Sequence, residues 1–116
     1  MKAGQIVVDN ATAIQDEAGN ATVLMRITNQ GDESDTLIAA MLANLPATIT
    51  SGSVDIAPGQ SISFAWDSIN YVNLDGLNAP MSSYVPLGLK FANAGITSTD
   101  IIIVPPTGIY EGIKPN

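Results

Sequence analysis

An all-β sandwich with Greek-key connections is the fold this sequence predicts, and three observations predict it. Apolar residues recur with a period of two in short runs, never at the 3.6-residue spacing of an amphipathic helix. Turn signals built from Gly, Pro, Asn and Asp interrupt the chain at roughly ten-residue intervals. Charged residues make up 13% of the chain, about half the usual share, so short polar side chains (Thr, Ser, Asn) must cover the surface. Seven to eight short strands of this kind bury their apolar faces by packing as two layers.

The elements follow in chain order. Residues 5–8 read as a first strand. Residues 21–28 alternate most clearly, with Val23, Met25 and Ile27 on one face and Leu24, Arg26 and Thr28 on the other. Asn29-Gln30-Gly31-Asp32-Glu33 then supplies a turn in which Gly31 is free to take positive φ. A strand resumes over residues 36–41, and Pro46 followed by residues 48–50 marks a short edge segment. In Ala57-Pro58-Gly59-Gln60 the proline presets φ and the glycine accepts the left-handed region. Residues 61–66 place Ile62, Phe64 and Trp66 on one face, with Trp66 expected in the core or at its rim. Residues 71–74 form a short strand ending at Asp75-Gly76. Leu87, Leu89 and Phe91 give a further inward row, closed by Asn93-Ala94-Gly95, and the β-branched run 101–104 stops at Pro105-Pro106. Residues 1–104 thus read as one sandwich domain, and residues 105–116 as a flexible C-terminal extension.

Composition narrows the chemistry. The 116 residues include no histidine and no cysteine, which removes the usual proton shuttle near neutral pH and the usual ligands of zinc, copper and iron. Eleven acidic residues against four basic ones give a net charge of -7, which repels phosphate backbones and argues against nucleic-acid binding. No apolar run approaches the roughly 18 residues that span a bilayer. The start Met1-Lys2-Ala3-Gly4 lacks the apolar core of an export signal, as expected of a cytosolic chain or of a mature form.

Three segments, in this order, carry a family resemblance: ATVLMRITNQGDESDTLIAA (residues 21–40), VDIAPGQSISF (residues 54–64) and VPLGLKFANAGITSTDIIIV (residues 85–104). They resemble the strand–turn–strand, Pro-Gly turn and closing hairpin of the PCuAC-type periplasmic copper chaperones. The resemblance implies a cupredoxin-like Greek-key sandwich, a periplasmic or cell-envelope location, and copper carriage through a His and a Met plus a later His-x-Met pair. That pair falls here on Tyr71 and Asn73, and the first His falls near residues 48–51, which hold only Thr, Ile and Ser. The hairpin that carries the Met is shortened to little more than Gly52-Ser53. No metal ligand of the family carries over.

Other candidate groups each have a plain reading beside the functional one. Met25, Met41 and Met81 are the thioethers available for Cu(I), although methionine on a strand face is usually a core filler; Met81, in a loop, is the alternative metal ligand. Asp32, Glu33 and Asp35 form an acidic turn without the calcium-loop pattern, read as a solvated turn. A carboxylate enzyme would need at least two of Asp67, Asp75 and Asp100 in one cleft. Ser51, Ser53, Ser82 and Ser83 have no histidine base, and Lys2, Lys90 and Lys114 stand in no recognisable Ser-Lys motif. Loops at sandwich ends commonly carry binding function, so Tyr71, Asn73 and Asp75 are the binding candidates. The expectation is a non-catalytic copper-chaperone-like envelope domain with no cofactor, acting through another envelope protein or an unassigned ligand. The alternative is a genuine copper carrier whose atypical site contains Met81 or is completed by a partner.

Overall fold

A computed structural model describes residues 2–65 and 70–105 of the chain. Trp66 and Asp67, as well as residues 106–116 of the expected C-terminal extension, lie outside the described residues. The described elements are β1 (Lys2–Ala3), β2 (Ile6–Gln15), β3 (Ala21–Asn29), β4 (Asp35–Leu42), β5 (Leu45–Pro46), β6 (Thr48–Ile49), a single 3-10 turn (Thr50–Gly52), β7 (Val54–Ile56), β8 (Ser61–Phe64), β9 (Val72–Leu74), β10 (Tyr84–Phe91) and β11 (Gly95–Val104). No helix among the described residues is long and apolar enough to cross a membrane.

Two layers form. One contains β2, β3, β8, β9 and β6, with β1 paired to β2. The other contains β5, β4, β7 and β10, with most of β11. β11 belongs to both: residues 95–102 pair antiparallel with β10, and Ile103 and Val104 then pair parallel with Ala13 and Ile14 of β2. This crossover joins the layers into a partly closed, barrel-like sandwich, which leaves fewer exposed strand edges than two separate sheets would. The all-β, cupredoxin-like Greek-key fold expected from the sequence is the fold observed.

The period-two rows produce the core. Val23, Met25 and Ile27 of β3, Leu37 and Leu42 of β4, Ile62 and Phe64 of β8, and Leu87, Leu89 and Phe91 of β10 are all buried between the layers. Burying one such side chain contributes about 1.5–3 kcal/mol, so these rows are the main source of cohesion.

Three details depart from the expected layout. The first long strand runs to Gln15, not Val8, because a bulge between Asp9 and Thr12 absorbs the break in alternation, with Asn10 at φ 59. Asn accepts this left-handed backbone at low cost. Gly31 does not take positive φ; that region is used by Gly59, at φ 76. Gly31 is needed for space instead, since a Cβ there would lie 3.0 Å from the Gln5 Cβ. Met41 is not a core filler but stands 44% exposed on the outer side of β4.

Candidate functional site

β9 lies between two neighbours at one end of the sandwich. Asn73 is registered against Thr22 of β3 on one side and Thr48 of β6 on the other. Alternation along the strand turns Val72 and Leu74 into the core and leaves Asn73 on the opposite face. Tyr71 and Asp75, each two residues away, flank it. Thr48, Tyr71, Asn73 and Asp75 together line a cavity of about 250 Å³. The three positions singled out as binding candidates and one of those aligned with the family's first His are therefore neighbours in space.

Both ends of this segment are fastened. The Thr50 hydroxyl accepts the Tyr71 N–H, while the Thr50 N–H donates to the Tyr71 carbonyl at 3.0 Å. At the other end the Gly76 N–H donates to Asn20 Oδ1 at 2.9 Å. Asn20 is itself held by its backbone N–H donating to Asp16 Oδ1 at 3.0 Å. The link from β6 to β7 consists of the 3-10 turn and Ser53 alone; it is not the short hairpin expected there but a crossover between layers, since β6 pairs with β9 and β7 with β4.

One atom of a wall residue stands apart. Asn73 is 6% exposed, and among the described residues its Oδ1 is buried with no hydrogen-bond partner. Leaving such an acceptor unpaired costs about 1–3 kcal/mol, and buried polar atoms in folded proteins are nearly always paired.

The acidic turn shows the contrast. A cavity of about 400 Å³ lies between residues 4–6, residues 29–35 and Asn93-Ala94. Its buried polar side chains, however, are paired within the protein. Asn29 Nδ2 donates to the Glu33 and Ile56 carbonyls at 2.8 and 3.0 Å, and Asn29 Oδ1 accepts the Gly31 N–H at 2.9 Å. Asp35 is not a solvated turn residue, as the sequence suggested. It is buried, and its carboxylate accepts the N–H groups of Thr36, Asn93 and Ala94 at 2.8–2.9 Å. Asp35 and Asn29 clasp this turn to neighbouring strands and loops. Nothing in the sequence marked either as buried, because polar residues beside a glycine turn are usually solvated.

The remaining candidates are dispersed. Met25 lies in the core on β3, Met41 on the outer side of β4 in the other layer, and Met81 in an exposed loop. Asp75 belongs to the end cavity, whereas Asp100 is exposed on β11 opposite Pro86. Among the described residues no three His, Cys, Asp or Glu side chains are grouped as a metal site.

No family model matches the chain, and no curated protein matches it. Solved structures do. The apo PCuAC domain from PmoF1 superposes with a TM-score of 0.80 at 25% identity, covering 91% of this chain and 98% of that one. The copper-bound PCuAC domain from PmoF2 gives a TM-score of 0.79 at 19% identity, covering 91% and 97%. Near-complete coverage of both chains leaves no room for a different arrangement of layers. Strand architecture and coverage give this chain a PCuAC-like, copper-chaperone-like fold.

Proposed function

We propose that this chain is a non-catalytic, copper-chaperone-like envelope domain that binds a partner or ligand at its sandwich end through Tyr71, Asn73 and Asp75. The observation that carries the reading is the donor set of the end cavity. Its walls offer two hydroxyls, one amide and one carboxylate, all hard donors. Cu(I) favours thioether, thiolate and imidazole, and the chain has no histidine or cysteine to supply the latter two. These four residues do not suit the cargo of a copper carrier. They suit hydrogen bonding, on a segment already held at both ends by Thr50 and Asn20. Export to the periplasm or cell envelope is inferred from the family likeness, and another envelope protein is proposed as the partner.

The competing reading is copper carriage through Met81, which is 42% exposed, and a copper-bound structural neighbour is the observation in its favour. Titration of the purified protein with Cu(I) against a competing chelator decides between them. The expected result is no binding tighter than micromolar. Tighter binding that disappears in Met81→Ala would establish the carrier.

A further inference from the structure

The Asn73 oxygen, which has no donor among the described residues, points to a donor from outside the fold. We infer that the end cavity takes a primary ammonium group, with N–H bonds to Asn73 Oδ1 and to the Asp75 carboxylate and Tyr71 alongside. This rests on the reading that the sandwich end is a binding surface, and names the chemistry bound there.

Four features favour an ammonium. The described wall residues are Thr48, Tyr71, Asn73 and Asp75, so the cavity is rich in acceptors and, among the described residues, lined by no basic side chain. An R–NH₃⁺ group carries three donors and no acceptor, which matches such a wall. The terminal torsion of an asparagine amide is soft, so turning the amide is the motion that would bring the enclosed Oδ1 round to the cavity that Asn73 lines. At about 250 Å³ the space falls below the ~300–1,000 Å³ of sites for drug-sized ligands and fits the end of an alkyl chain. The net charge of -7 draws a cationic group towards the protein.

Other cations fit less well. Calcium takes six to eight oxygens with several carboxylates among them, and among the described residues this cavity has one carboxylate. A guanidinium holds five N–H donors in one rigid plane, whereas the three donors of an ammonium rotate to suit acceptors set on different residues. The ammonium has two sources, a small alkylamine or a lysine side chain on a partner.

The test uses the whole chain, ¹⁵N-labelled at pH 7, titrated with n-butylammonium, with a Gly-Lys-Gly peptide and with n-butanol as the uncharged control. The expected result is a saturable shift of the amides at Thr48 and at Tyr71, Asn73 and Asp75 with the amines and none with n-butanol. Asp75→Asn, an exposed position, should weaken binding about tenfold, and Asn73→Leu should abolish it, both with dispersed spectra that show a retained fold. Tighter binding of the peptide assigns the ammonium to a protein lysine, and tighter binding of butylammonium to a small amine. Absence of saturable shifts with both amines, equal shifts with n-butanol, or an unchanged affinity in Asp75→Asn overturns the inference. If amines fail and Cu(I) also fails to bind, the ammonium falls while a binding role for this end stands. Cu(I) held at this end more tightly than micromolar removes both.

Discussion

Replacing Asp35 by alanine is the sharpest probe of how this fold is fastened. Its carboxylate accepts three backbone N–H groups at 2.8–2.9 Å, from Thr36 next to it and from Asn93 and Ala94 across the sheet. Bonds to a charged group contribute about 1.5–3 kcal/mol each. The three do not add in full, because they share one carboxylate whose own desolvation is recovered on removal. Asn93 is exposed and Ala94 half-buried, so water can pair part of what is released. About 2–3 kcal/mol of lost stability remains. With a urea slope of about 1–2 kcal/mol per molar for a small domain, the midpoint should fall by about 1–2 M with the slope unchanged. Asp35→Asn keeps one acceptor oxygen and should lose about half as much. Hydrogen exchange supplies a second readout, since the amides of Asn93 and Ala94 should lose protection in Asp35→Ala before the core strands do. A loss below about 0.5 kcal/mol, or unchanged protection at those two amides, would refute the clasp.

Other substitutions test other parts of the structure. Asn29→Asp turns the donor that pairs two carbonyls into a buried anion facing them and should cost about 3–5 kcal/mol, read as a collapse of the thermal midpoint. Asn73→Leu removes a buried acceptor that has no partner among the described residues and should leave stability unchanged or raise it by about 1 kcal/mol; a loss above about 2 kcal/mol in urea melts would show that the amide is paired. In Gly59→Ala the new Cβ meets nothing within 4 Å, so only the φ of +76 resists it, and the cost should be about 1–2 kcal/mol.

What the sequence by itself determined is the fold. Period-two rows such as Val23, Met25 and Ile27, or Leu87, Leu89 and Phe91, are local signals. The hydrophobic effect acts on them in the same way wherever their partner sheet comes from, so they were legible as inward faces before any pairing was known. The turn at Gly59 was legible for the same reason, since a preset φ at proline and a free one at glycine are properties of two adjacent residues. Gly31 was read as free to take positive φ and does not use that freedom; its constraint is the nearness of Gln5, a contact between different segments that the sequence does not reveal. The burial of Asp35, Asn29 and Asn73 was likewise hidden, because each is set by pairing with residues far along the chain. Asp35 meets N–H groups 58 and 59 residues away. Asn73 becomes an enclosed acceptor only because β9 is inserted between β3 and β6. Tertiary structure alone decided which polar residues are satisfied and which one, among the described residues, encloses an acceptor without a partner, since hydrogen-bond satisfaction is a property of the assembled surroundings and not of the residue.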